Sequence, residues 1–558
     1  MADSMKDKPV VELAENVELG KSSIDQGHLL VDSDGQVQRL PVPSKDPNDP
    51  LNFTQWEKVG IIVSCCWFST ISLSLIGGLG AILDVFLQMY GKEGRSTNEI
   101  VWLTTFSSLF IGVGELSFHS VSEANGVGNF VFLPIALLYG RRFSVISGNI
   151  VLLAATIGCA VCNNWSQHLA LRIIQGLAAG VTESILPLVL AEVTFVHQHG
   201  MIYGLYWAAQ NVITGCLTIA ASYEVAALGW RWYYWVFAIT VAVGLVMAVF
   251  LQFETSYTRS SQFVNGRLVT TDQYGVTRVL TEVETMEYLE IHGHPDDTDI
   301  PEELRPKKSY LQMLIPWKSP TESPLTLVPR TILQIFEAFV SPGILYVTLV
   351  ASVVLGASIG MSLSYNTVLQ YNYHWSQESI GLINLGGVFG GFGGMLYAGL
   401  LGDKFVIWMA KRNNGIHRPE HRLPLLILPG VVGVASLLLY GFTANGSATW
   451  GGPYMGWTLF QITFVSILIL STSFAAEAWE KNPGPAIAAV VGVKNIVAFG
   501  LSYGINPMVE KYDYPVTMGI LAAIVGGVFV LGVPVYYLNP RWRRWMDARE
   551  QRKQSLAR

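Results

Sequence analysis

Polar and apolar residues are segregated along this chain on a length scale that decides its class. Beyond a polar stretch of 56 residues, the apolar positions fall in unbroken blocks rather than at helical or alternating spacing. The blocks lie near 59–83, 101–138, 143–163, 168–195, 201–223, 233–252, 341–364, 377–401, 424–443, 454–476, 485–507 and 516–538. A helix needs about 20 apolar residues to cross the hydrocarbon core of a bilayer, and each block predicts one such helix. The pattern therefore predicts an all-α integral membrane protein with twelve transmembrane helices in two six-helix bundles, 58–252 and 339–538. A polar loop at 253–338 separates the bundles, and polar tails at 1–57 and 539–558 flank them.

Composition narrows the class further. The chain of 558 residues is 51% hydrophobic and only 14% charged, whereas a soluble protein carries roughly 25% charged residues. That leaves too few charges to cover a soluble surface, so a soluble enzyme, a fibrous protein and a disordered scaffold are excluded. Cys65, Cys66, Cys159, Cys162 and Cys216 all lie inside apolar blocks. Cys159 and Cys162 form a CxxC without a second pair, and read as small apolar residues of a span rather than a metal or redox site.

Net charge is −6, but the basic residues cluster. Arg141 and Arg142 follow the second block; Lys404, Lys411, Arg412, Arg418 and Arg422 follow the eighth; Arg541, Arg543 and Arg544 follow the twelfth. With twelve crossings all three clusters share a side with both tails and the central loop, and positive loops mark the cytosolic side. The N-terminal tail lacks a cleavable signal, so the first span is expected to direct the chain to the membrane. The plasma membrane is the expected destination and the vacuolar membrane the alternative. In the central loop, Glu282, Glu284, Glu287 and Glu290 predict a short solvated helix, and Tyr310–Trp317 an amphipathic stretch on the inner leaflet. Of the sequons at Asn52, Asn164 and Asn445, only Asn445 falls in a roomy outer loop, so it is the expected glycosylation site.

The chemistry of an enzyme is missing. Gly20-Lys21-Ser22 ends like a phosphate loop, but Glu15 stands where its first glycine belongs. His197/His199 and His417/His421 are too few for a di-iron membrane enzyme. No cofactor, metal or nucleic acid is expected, and the chain is expected to act as a monomer in the lipid bilayer.

What remains are ionisable residues inside apolar blocks, where they are costly and point to function. The fourth block carries Arg172, Glu183 and Glu192, the tenth Glu477, and the eleventh Lys494 beside Asn495. A helical rise of about 1.5 Å per residue places Glu183 about 16 Å along the span from Arg172, near mid-membrane. A carboxylate there, facing a cavity, can take a proton from one side and give it to the other. Arg172 and Glu183 are the predicted proton-coupling residues. Gln210, Asn211, Lys494 and Asn495 are predicted to line the cavity for a small-molecule passenger, with a structural ion pair as the other reading of Lys494. In the eighth block Gly386, Gly390 and Gly394, with Gly387 and Gly391 alongside, predict close helix packing or a moving seam.

Several stretches carry a family likeness. They are Asp46-Pro47-Asn48-Asp49-Pro50-Leu51-Asn52 before the first block, Leu171-Arg172-Ile173-Ile174-Gln175-Gly176 with Gly180 in the fourth, Gly229-Trp230-Arg231-Trp232 before the sixth, and the loop from Asp403 to Leu423. With the six-plus-six layout, the chain resembles the major facilitator superfamily from residue 46 onward, and within it fungal relatives of the drug:proton antiporters. The resemblance implies alternating access, proton coupling through Arg172, and export of a drug or secondary metabolite. Proton-linked import of a nutrient or organic cation is the second reading, and a non-transporting receptor the third. The family's GxLaDrxGRR loop motif is split here. Gly140-Arg141-Arg142 has Leu137 in place of its acid, while Gly402-Asp403-Lys404 keeps the acid without the trailing Gly-Arg-Arg. A rearranged cytosolic latch among Gly140, Arg141, Arg142, Asp403 and Lys404 is expected. The Gly-Pro pair of the antiporters is absent from the fifth block, where Thr214-Gly215-Cys216 stands.

The second block is anomalous. Its apolar parts, 101–114 and 129–138, are each too short to span, and Glu115–Gly128 between them is polar. Gly112-Val113-Gly114 recurs as Gly126-Val127-Gly128, and removal of 115–128 restores one continuous span. The segment reads as a translated, unspliced intron, with an insertion looped out of a broken helix as the rival. An uninterrupted transcript through these codons sinks the intron reading.

Overall fold

The structure, a computed structural model, describes residues 28–29, 43–44, 46–116, 136–257, 262–264, 267–271, 277–279, 306–317, 324–413, 416–446, 449–478 and 483–556. Among these, eleven helices are long and apolar enough to cross a bilayer. They are α1 (Gln55–Gly91), α3 (Arg141–Val161), α4 (Trp165–Val193), α5 (His199–Leu228), α6 (Trp230–Leu251), α7 (Pro342–Asn372), α8 (Gly381–Arg412), α9 (Pro419–Thr443), α10 (Gly451–Ala478), α11 (Gly484–Ile505) and α12 (Pro507–Met546). The remaining span, α2, starts at Thr97, is described to Leu116 and resumes at 136–139. Residues 117–128 of the segment that reads as a retained intron lie outside the described residues, as does the acidic run at 281–292.

The helix starts follow local rules. Thr54 and Glu57 form a reciprocal capping box at α1, which satisfies two of the otherwise orphaned amides of the first turn. Asn164 caps α4 by accepting from Gln167 N–H, so the sequon at Asn164 is committed to a tight turn. Gly140 and Gly229 precede α3 and α6 with φ of 103° and 89°, a backbone region that glycine enters without a Cβ penalty. The helices outrun the apolar blocks: α7 reaches Asn372 and α12 reaches Met546. Polar residues beyond the hydrocarbon keep the helical backbone bonds even though hydropathy no longer marks them. The residues expected as a basic C-terminal tail are helical as far as Leu556.

The described lead-in to α1 and the end of α12 lie at one end of the molecule, the tail side. There Tyr257 donates its hydroxyl to Asp46, and Lys308 N–H donates to Asn48, so the lead-in to α1 is tied to the central loop. The loop also holds a small antiparallel sheet, β1 (Gln262–Val264), β2 (Arg267–Thr271) and β3 (Thr277–Val279), and a helix at Pro324–Phe339 ahead of α7. Neither was legible in the sequence pattern. A helical turn at Tyr310–Met313 does fall in the expected amphipathic stretch, leaving Tyr310, Leu311, Ile315 and Trp317 exposed.

The two bundles meet along two seams. On one, α5 packs along α8 and α10; on the other, α2 and α4 pack against α11. The glycine stripe of α8 has two faces. Side chains added at Gly386, Gly390 and Gly394 would meet Trp457, Gln461 and Val465 of α10, whereas one at Gly391 would meet Val212 and the Ala208 carbonyl of α5. The stripe thus packs tightly inside one bundle and also approaches the other bundle closely across the seam.

Candidate functional site

Two clusters of charged side chains sit on the bundle interface, one midway along the spans and one at the tail side. The first is built on α4 and α11. Glu183 and Lys494 are both buried, and Lys494 Nζ donates to Glu183 Oε1 at 3.0 Å. Asn495 Nδ2 donates to Oε2 of the same carboxylate. Lys494 Nζ also lies 5.0 Å from the centroid of the Trp207 ring of α5, within the range of a cation–π contact. Trp207 Nε1 in turn donates to Thr472 of α10 at 3.2 Å. Two helices from each bundle thus converge on one ion pair.

Local sequence loosens the backbone here. Pro187 lies inside α4 and has no N–H to offer the carbonyl four residues back, which is that of Glu183. Around it, Ser72 and Thr182 share a 2.8 Å hydroxyl contact, Tyr206 donates to Thr182 O at 2.6 Å, and Ser74 meets Thr214 at 2.7 Å. These hydroxyls hold α1, α4 and α5 together one turn away from the pair.

The other predicted residues fall in different places. Arg172 is fully buried and is not brought to Glu183. Its guanidinium donates to Leu103 O, Leu75 O and Ile76 O, each at 3.0 Å, and to Gln175 Oε1 at 3.0 Å. It therefore staples α1 and α2 to α4 through carbonyl oxygens. Asn211 spends its amide on Gly387 O of α8 at 3.0 Å, across the seam. Among the described residues, the buried Gln210 Oε1 has no donor. Nearer the other end of the seam, Trp102, Phe106, Phe499 and Tyr503 line a cavity of about 240 Å³ between α2 and α11.

The tail-side cluster joins the split motif in two halves. In the first, Glu254 beyond α6 accepts from the N–H groups of Arg141 and Arg142 at 3.0 and 3.1 Å, capping α3. Arg141 pairs with Glu192 at 2.8 Å, and Arg142 donates to Met313 O and Val249 O, each at 2.6 Å. In the second half, Arg422 of α9 is bidentate on Glu477 of α10 at 2.9 and 2.6 Å and reaches Asp403 at 3.5 Å. His417 Nε2 lies 3.0 Å from the same Glu477. Asp403 then accepts from Met201 N–H, at the start of α5, at 2.8 Å. The loop-motif acid thus caps a helix of the other bundle, where electrostatics favours a negative charge. Lys404 is exposed and takes no part.

The roles of Glu254 and Trp207 are missed by sequence reasoning. Glu254 lies over a hundred residues from the amides it caps, and Trp207 is one aromatic among many in an apolar block. Asn445 sits exposed in the turn between α9 and α10, on the end opposite the tails.

Two helical bundles joined by a polar loop, with buried charges paired across their interface, define a multi-pass membrane protein. Residues 68–499 match the Major Facilitator Superfamily, and the chain belongs to that family. It is 24% identical to an uncharacterized MFS-type transporter of Schizosaccharomyces pombe over 93% of this chain and 90% of that protein. It is 22% identical to Protein HOL1 of Saccharomyces cerevisiae (95% and 94% covered) and 24% identical to the efflux pump radE of Floropilus chiversii (75% and 71%). Among solved structures, the human organic anion transporter MFSD10 superposes with a TM-score of 0.55 at 10% identity, covering 85% of this chain and 99% of that one. The proton:xylose symporter XylE does so with a TM-score of 0.52 at 13% identity, covering 85% and 95%. These likenesses place the fold.

Proposed function

We propose that this transporter couples proton movement to the export of a small organic compound, with Glu183 as the proton site. The observation that carries the reading is the buried Glu183–Lys494 pair joining α4 to α11 across the bundles. Protonation of Glu183 removes the charge that holds Lys494, so the pair acts as a proton-sensitive bond between the two halves. Alternating access needs such a bond to break and re-form as the bundles rock about a mid-membrane site. Pro187 places a weakened helical bond at the same point. Arg172 holds the helix frame around the site, and the Asp403 cap on α5 closes the tail side, which faces the cytosol. The efflux pump among the relatives favours export over import. The plasma membrane is the expected location.

The test has two stages. Compounds retained by cells lacking the gene are identified, and the most strongly retained one is loaded with the purified protein into vesicles. Wild-type flux should follow an imposed pH difference, and Glu183→Gln flux should ignore it. Wild-type flux indifferent to the pH difference overturns the reading.

A further inference from the structure

Resting on the reading of Glu183 as the proton site, we infer that the passenger is an organic acid, bound as its carboxylate on Lys494 and carried together with the proton. The argument is one of charge. As the structure stands, Glu183 and Lys494 neutralise each other in a buried site. A cationic passenger would have to take Glu183 for itself. That leaves the Lys494 ammonium buried without a counter-charge and beside a second cation, a strongly unfavourable arrangement. Arg172 gives no relief, because its own positive charge is met by carbonyl and amide oxygens rather than a carboxylate. An anionic passenger meets the opposite situation. Once Glu183 takes a proton, Lys494 is the unpaired group, and a carboxylate on its ammonium restores the neutrality of the pair.

The surroundings suit the body of such a molecule. The Trp207 ring under the ammonium offers an apolar face. One helical turn on, the buried Gln210 Oε1 lacks a donor among the described residues, so it can accept an N–H or O–H from the passenger. Other titratable groups on the surrounding helices are Tyr206 of α5, bonded to Thr182 O, and Cys65 and Cys66 of α1. Toward the tail side come Glu192 with Arg141, and Glu477 with Arg422 and His417. Among the described residues none of these bonds to Glu183 or Lys494.

Proton and acid therefore strengthen each other's binding, and thermodynamic reciprocity makes the two effects equal. One proton and one carboxylate cross together with no net charge moved. An acid accumulated in the cytosol leaves with its own proton, which is consistent with export.

The experiment uses the full-length protein in nanodiscs and three probes with one ring system: 1-naphthoate, 1-naphthylmethylammonium and 1-naphthamide. Binding is read by calorimetry at about pH 5.5 and about pH 7.5, where both charged probes keep their charge. Naphthoate should bind about tenfold tighter at the lower pH, a coupling of ordinary size. Glu183→Gln should bind it at both pH values as wild type does at the lower one. Lys494→Gln should lose the preference for naphthoate over naphthamide. The uncharged double variant Glu183→Gln/Lys494→Gln, which should still bind naphthamide, controls for folding. Tighter binding of the ammonium probe, naphthoate binding unaltered by Lys494→Gln, or no naphthoate binding at either pH overturns the assignment. The vesicle flux of the previous section tests coupling separately, so failure of the carboxylate assignment is distinguishable from failure of the proton-site reading.

Discussion

At Glu183 one carboxylate answers to a lysine and an asparagine, on a helix that carries Pro187 one turn on. Stripping one partner from a buried pair leaves an uncompensated charge, which costs about 3–5 kcal/mol, whereas removing both charges together is often nearly neutral. Lys494→Ala should therefore lower unfolding stability in detergent by about that amount, and Glu183→Gln/Lys494→Gln should stay close to wild type. Chemical denaturation of the three proteins checks this, and equal stability of the single and double variants would show that the pair is solvated. Much of this site was legible. Charges inside apolar blocks are rare enough to single out Arg172, Glu183 and Lys494, and the helical rise separates the first two. Their partners were not legible. Glu183 and Lys494 stand 311 positions apart, and no periodicity within either helix names the other. Arg172 resembles a titrating partner in the sequence, but in the fold carbonyl oxygens surround it.

For α8 the element itself, rather than any charge, carries the constraint. Glycine spacing of four foretells close packing, yet neighbouring stripes differ by one position and face different helices. Gly391 opposes α5 across the seam, while a side chain at Gly387 would meet no atom within 4 Å. Gly391→Val should slow transport severely, because the added methyls press on Val212 and the Ala208 carbonyl wherever the bundles slide. Gly387→Ala should leave flux intact and raise helix stability by up to about 1 kcal/mol, the glycine-to-alanine difference in a helix. Flux measured at equal membrane abundance separates the two. A Gly391→Val transporter as fast as wild type would mean that this seam does not move. Spacing alone could not assign the faces, because the register of α8 against its two neighbours depends on residues far away in the chain. The same holds for the helix ends, which hydropathy places short wherever polar residues continue a helix beyond the lipid.

For the whole molecule, orientation and gating are the open quantities. If the tail side is cytosolic, Asn445 lies outside, and Asn445→Gln should abolish any mobility shift produced by an endoglycosidase on the protein from its native membrane. Gating turns on an asymmetry. The first half of the molecule has Leu137 where the loop motif calls for an acid, so the carboxylate on the opposite bundle is supplied from one side alone, by Asp403 on the start of α5. The sequence marked Asp403 as part of a rearranged latch without naming what it holds; the structure has it accept from Met201 N–H at the start of α5, in the other bundle. The negative charge of such a cap contributes about 1 kcal/mol, which corresponds to a shift of about fivefold in a two-state equilibrium. Asp403→Asn should move the transporter toward its tail-side-open state by that factor, while Lys404→Ala, whose side chain is exposed, should not. A cysteine at Ser473, buried on α10 one turn from Glu477, reports the state when the five native cysteines are replaced by serine. Its labelling by an impermeant thiol reagent from the tail side should accelerate about fivefold in Asp403→Asn, as that population shift requires. Labelling at the wild-type rate would mean that the cap does not hold the gate and that the Arg422–Glu477 pair closes this end on its own.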